Sequence, residues 1–285
     1  MTLYSSGQKF SCPKTRMDKA MKRHTFSLVL ILLLALVWPA WSPVLAGSGG
    51  YLTPSMAVNE AGQLRMLTQR IVSIVCQVGL KMATPPVRDK LDQSVALFDS
   101  HLDKLVAFAP NDDARQALAT VAAQWTRFRQ AARQAITRDG ARRLHGLSED
   151  LLYASHKIVQ ILQDTADTPY ARLVNISGRQ RMLSQRLTKL YLLRAWGYET
   201  LTIRDEMDKA RIEFTSALGV LTRAPENTAA IAAELDQVAL QWEWLQTAIA
   251  QQGDTNHLMI VADASESVLY SMEVVTSLYE ELSGR

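Results

Sequence analysis

The stretch Asn59-Glu-Ala-Gly62-Gln-Leu-Arg65-Met66-Leu67-Thr-Gln69-Arg70 returns as Asn175-Ile-Ser-Gly178-Arg-Gln-Arg181-Met182-Leu183-Ser-Gln185-Arg186. The offset is 116, and seven of the twelve positions are identical. The likeness continues outward. Leu91, Phe98, Leu102 and Leu105 map at the same offset onto Met207, Phe214, Leu218 and Leu221. Leu118, Val121, Trp125, Phe128 and Ala132 map at offset 117 onto Leu235, Val238, Trp242, Leu245 and Ile249. Ser148-Glu149 through Tyr153 matches Ser265-Glu266 through Tyr270. The chain is therefore two copies of one module, and a repeat of this length dictates the architecture.

Both copies carry the same punctuation. Thr53-Pro54 and Thr168-Pro169 each read as an N-cap followed by proline at the first helical position. Ala109-Pro110 and Ala224-Pro225 break the chain again, and Gly140 and Gly253 mark a third break. Pro85-Pro86 splits the first half of copy one; the weaker counterpart falls near Tyr198–Thr202. Between breaks the apolar spacing is helical: Ile231, Leu235, Val238, Trp242, Leu245 and Ile249 step by four and three. Each copy is expected to be four helices of about 22–30 residues joined by short loops, which set neighbours antiparallel. The predicted fold is all-α, two tandem up-down four-helix bundles, with module 1 over residues 51–167 and module 2 over 168–285.

The 285 residues are 48% hydrophobic and 21% charged, which excludes a disordered chain and a collagen-like repeat. The net charge of +3 is misleading. Residues 1–46 hold six of the 31 basic residues and one of the 28 acids, which leaves 25 against 27 in the remainder. Nucleic-acid binding thus loses its electrostatic support. Lys22-Arg23 precede an apolar run from Phe26 to Trp38, followed by Pro39, Pro43 and Val44-Leu45-Ala46. That pattern predicts a secretory signal peptide over residues 1–46, cleaved after Ala46, with a true start at Met21 as a variant of the same reading. The run of 13 residues falls short of the about 20 that span a membrane, and an uncleaved anchor is the alternative. The expected product is soluble and periplasmic, and its one cysteine, Cys76, reads as a small core residue.

The repeated motif lies on the first helix of each module. Asn59, Gly62, Met66, Gln69 and Arg70 fall on one stripe with Arg65 at its edge. Glycine in a helix interior costs about 1 kcal/mol relative to alanine, so its recurrence at Gly62 and Gly178 points to a close approach by another helix or a ligand. Arginine on a buried face is expensive unless paired. Its planar fork of donors suits a carboxylate or a planar oxyanion. Two readings follow. In one the polar stripe is structural, with Arg65 and Arg181 paired to acids such as Glu149 and Glu266. In the other it binds a ligand.

Other sites are poorly supplied. His101, His145, His156 and His257 belong to no HExxH, ExxH or CxxCH motif, so no metal site and no cofactor is expected. His145 and Glu149, one turn apart, read as a solvated helix pair. GxSxG, GxxxxGK[ST] and GxGxxG are all absent, and no enzymatic activity is expected. Trp125 and Trp242 read as core, and Tyr153 and Tyr270 as repeated packing positions.

The motif Asn-x-x-Gly-x-x-Arg-Met-x-x-Gln-Arg resembles the first helix of the PilJ-type sensor module, the N-terminal domain of type IV pilus chemotaxis transducers. That module is related to the periplasmic sensor of NarX-type nitrate/nitrite kinases. The resemblance covers residues 51–285 as two modules, with copy two the closer match. It implies that Arg65 and Arg181, each directly before the methionine, grip a small anion such as nitrate or nitrite. Asn59, Asn175, Gly62, Gly178, Gln69, Gln185, Arg70 and Arg186 of the same stripe would assist. A lysine of the nitrate sensors beside the asparagine is Glu60 here and Ile176 in copy two, which favours Arg181 over Arg65. Such sensors are flanked by membrane helices and signalling domains, so the resemblance implies relay to a membrane sensor or transporter partner, or a homodimer. The alternative is a structural or interaction protein of the cell envelope with no small ligand.

The path of the chain at Asp167-Thr168-Pro169 decides how the arginines relate. A sharp turn would lay the modules side by side with both motif helices parallel, and the two arginines could share one anion across an internal pseudo-twofold. A helix running on through Pro169 would stack the modules and separate the arginines by about 40 Å.

Overall fold

The computed structural model describes residues 52–82, 86–134, 136–251 and 255–284. The leader through residue 46, Gly253 and the cleavage site expected after Ala46 lie outside them. The described residues form helices α1 (Pro54–Gly79), α2 (Pro86–Phe108), α3 (Asp112–Ala132), α4 (Arg138–Ala166), α5 (Pro169–Ala195), α6 (Leu201–Thr222), α7 (Ala229–Ala250) and α8 (Thr255–Ser283), and no strand. The fold is all-α, with two tandem four-helix units. None of these helices is long and apolar enough to cross a membrane.

The two threonine–proline caps are the ones the sequence announces. The Thr53 and Thr168 side chains accept from the N–H groups of Met56 and Ala171, each with proline opening the helix behind it. Thr200 and Thr228 do the same for α6 and α7. Gly140 is not a break; it sits in the first turn of α4, where its N–H donates to the capping Thr137.

Within each unit the first helix packs on the second and fourth, and the third packs on the fourth. Each unit holds a matching aromatic stack between its second and third helices: Phe98 on Trp125 at 3.8 Å and Phe214 on Trp242 at 3.9 Å between ring centroids. The indole N–H groups donate to Asp99 and Thr215, which are also equivalent positions. Tyr153 and Tyr270 are not packing positions. Both stand exposed on the outer faces of α4 and α8, opposite the Leu144, Ser148, Leu151, Ser155 and Ile158 seam and its counterpart.

The units lie side by side. Asp167 takes a left-handed conformation at φ 44°, its N–H closing onto the Gln163 carbonyl, and ends α4 abruptly. The chain therefore turns back before Pro169 rather than running on. α1 packs directly on α5, and α4 and α8 flank the pair. Asn59, Gln63 and Arg70 of α1 meet Glu280, Glu273 and Glu266 of α8 in reverse order, and Arg181 and Gln185 of α5 meet Glu273 and Ser265 in reverse order too. Both helices are thus antiparallel to α8 and parallel to each other. α1 and α5 are buried around almost their whole circumference, so one core runs through both units.

Candidate functional site

The polar residues of the repeated motif meet at the α1–α5 contact, around a local pseudo-twofold. Arg65 and Arg181 are both fully buried. Each side chain reaches across to the other unit: Arg65 Nη2 donates to the Asn175 carbonyl at 3.3 Å, and Arg181 Nη2 donates to Asn59 Oδ1 at 2.6 Å. The two glycines explain the approach. A Cβ on Gly178 would lie 3.0 Å from Arg181 Nη2 and 3.7 Å from Arg65 Nη2; on Gly62 it would lie 3.3 and 3.7 Å from the same two atoms. Both guanidinium groups therefore crowd the space that the missing side chains leave open.

The motif's last arginines make the matching cross-unit pairs. Arg70 binds Glu266 at 2.7 Å, and Arg186 binds Glu149 at 2.7 Å. Glu149 and Glu266 thus neutralise Arg186 and Arg70 rather than Arg65 and Arg181. Gln185 donates to Ser265 and Glu266, whereas Gln69 donates only to its neighbour Thr68 and its buried Oε1 has no partner.

The symmetry fails where charge matters most. Arg181 Nη1 donates to Glu273, whose other oxygen accepts from Gln63 at 2.8 Å. At the offset of 117, Glu273 corresponds to His156, and it is His156 Nδ1 that faces Arg65 Nη1, at 3.4 Å. Glu280, bonded to Asn59, corresponds to Gln163, bonded to Asn175. So α8 brings two carboxylates to the Arg181 side and α4 brings none to the Arg65 side. Among the described residues no carboxylate pairs with Arg65; its Nε, like that of Arg181, has no partner. Burial, with Arg179 and Arg181 nearby, pushes its pKa down to about 9. Burial beside Arg65 and Arg179 likewise holds His156 near 4, neutral at ordinary pH. Neither His156 nor Glu273 stands out in the sequence, although continuing the Ser148–Tyr153 match by three residues aligns them.

Glu60 is directed away from the dyad. It bonds His101 at 2.5 Å and Lys104 at 3.0 Å; burial alone would raise its pKa, but these two partners outweigh burial and lower it. The reason to favour Arg181 over Arg65 thereby disappears: Arg181 is the neutralised one.

A second polar cluster lies further along α5, and only its Arg186–Glu149 pair has a counterpart in the other unit. Lys189, fully buried, donates to Glu149 at 2.6 Å, and Arg186 bridges Glu149 and Glu206. The corresponding residues of the other unit are Ser73 for Lys189, Ala262 for His145 and Lys90 for Glu206. Burial alone would raise Glu149, but Lys189 and Arg186 bring its pKa down to about 2. His145 is not a solvated partner of Glu149; it is buried, 4.0 Å away, and burial with Lys189 nearby lowers its pKa to about 4. His145, Glu149 and Glu206 could offer metal-ligating atoms within 4.8 Å of one another. Lys189 and Arg186 already hold the carboxylates, so a divalent cation would enter against two positive charges.

A cleft of about 410 Å³ between α4, α5 and α6 is lined by His156, Arg179, Arg186, Glu206 and Glu213 among others. It approaches Arg65 from outside, with His156 standing between.

With this arrangement established, comparison with known families is specific. The model described as "Type IV pili methyl-accepting chemotaxis transducer N-term", PilJ, matches residues 54–151 and again residues 168–263. The chain belongs to the PilJ family. No curated protein and no solved structure matches it. Each PilJ match contains one complete copy of the repeated motif, and the two PilJ modules meet through those motif helices. Membership fits a sensory or signalling role.

Proposed function

We propose that this protein is an exported, periplasmic sensory module that binds a small anion, of the nitrate or nitrite kind, at the Arg65–Arg181 dyad and relays the event to a membrane or envelope partner. The observation that carries the reading is Arg65: a fully buried guanidinium without a carboxylate, set against a second one at the contact between two copies of a sensor module. An uncompensated buried cation is costly, and an anion would relieve that cost. The dyad is closed, so an anion reaches it by moving His156 or by parting α1 and α5. Either movement couples occupancy to helix spacing, which is what a relay requires.

Calorimetric titration with nitrate, nitrite and small carboxylates at low salt tests this, since one charge-assisted contact contributes about 1.5–3 kcal/mol. Heat that vanishes in Arg65→Ala supports the reading; no heat with any of these anions removes it.

The second reading is a structural or interaction protein of the envelope, in which the motif serves packing alone. Arg181 favours it, because Glu273, Asn59 and Gln63 already form a closed network around that side chain. If Arg65→Ala only alters the melting temperature and every binding measurement stays unchanged, that reading prevails.

A further inference from the structure

Pseudo-symmetry supplies an internal control that few single chains have: each contact at the dyad can be compared with its own counterpart. Around Arg181 the counterpart positions hold Glu273 and Glu280; around Arg65 they hold His156 and Gln163. Three other carboxylates near the dyad have partners of their own: Glu213 pairs with Arg179, although its charge also reaches Arg65 and His156, Glu60 bonds Lys104 and His101, and Glu266 pairs with Arg70. Buried Asn175 Oδ1 has no hydrogen-bond partner, whereas its counterpart Asn59 Oδ1 accepts from Arg181. Nε lacks a partner in both arginines, so what sets the Arg65 side apart is the missing carboxylate and the open Asn175 Oδ1.

We propose that Glu273 is a built-in ligand of Arg181, so that a bound anion engages Arg65 alone, takes the place of His156 against its guanidinium, and is selected for a single negative charge. The inference rests on the small-anion reading and narrows it. A carboxylate on Arg181 occupies the charge-assisted bonds that a shared anion would need. One uncompensated guanidinium matches one charge; a dianion would leave its second charge facing Glu273. The entry side is then the cleft between α4, α5 and α6, and α4 is the helix that moves.

The test exchanges counterparts. His156→Glu copies Glu273 into the equivalent position and should cut nitrate and formate affinity by about tenfold to a hundredfold, the worth of one charge-assisted contact, while raising the melting temperature. Glu273→Gln removes the built-in carboxylate and should admit sulfate, which the wild type should not bind. Nitrate binding that survives in His156→Glu, or sulfate still excluded from Glu273→Gln, overturns the assignment and leaves the small-anion reading in place. No heat from nitrate, nitrite, formate or sulfate in the wild type or in Glu273→Gln removes both. If His156→Glu does not fold, the Glu273→Gln titration decides alone.

Discussion

Arg65 and Arg181 occupy equivalent positions and should respond oppositely to the same change. Arg65→Met removes a buried charge with no acid and fits the space, so it should be neutral or stabilising, by up to about 2 kcal/mol. Arg181→Met strands Glu273 and Asn59 Oδ1 and should cost about 1–3 kcal/mol. Urea unfolding of both variants checks the pair; equal losses would contradict the asymmetry. The glycines give a second comparison. A Cβ at position 178 meets Arg181 Nη2 at 3.0 Å, and that atom is held by Asn59 while Glu273 holds its neighbour. At position 62 the nearest approach is 3.3 Å. Gly178→Ala should therefore be destabilising by about 1–3 kcal/mol despite alanine's better helix propensity, and Gly62→Ala by less. The motif residues were visible in the sequence as one repeated stripe. Their partners were not, because Arg65–His156 and Arg181–Glu273 join helices 91 and 92 residues apart, and a repeat does not say which neighbour a side chain meets.

At the level of helices, caps and breaks were legible because threonine–proline pairs act locally. The choice between side-by-side and stacked modules was not. Pro169 opens a helix equally well after a turn or a kink, and the left-handed Asp167 has no glycine to betray it. Tyr153 and Tyr270 were misleading for a related reason: repetition marks equivalence, not burial, and both stand off the seam of their helix. The junction of α1 and α5 near its far end carries its own test. A Cβ on Gly79 would lie 2.0 Å from the Trp196 ring, a bulky group that closes that end of the pair. Gly79→Ala should cost about 1–3 kcal/mol, and Gly79→Ala with Trp196→Leu should recover part of it. A melting temperature unchanged in the single variant would place Trp196 elsewhere.

For the whole molecule, two modules have become one body whose interface is its polar centre. Acid should weaken it. His145 and His156 titrate near 4 in the folded chain against an ordinary 6.5, so the unfolded chain takes up protons first and stability falls as pH drops from about 6.5 toward 4. Glu149, held near 2, extends the loss below pH 4.5. Melting temperatures across that range should fall steadily, and His145→Gln with His156→Gln should flatten the upper part; an unaltered slope would move the buried titration elsewhere. The same internal pairing fixes a number that a homodimer would not share, since one chain contains one dyad. Calorimetric titration of the wild-type chain with nitrate and formate at low salt is the most direct measurement. One anion per chain is expected, with heat abolished in Arg65→Met, a variant that stays folded. Two anions per chain, or binding undiminished in Arg65→Met, would contradict this.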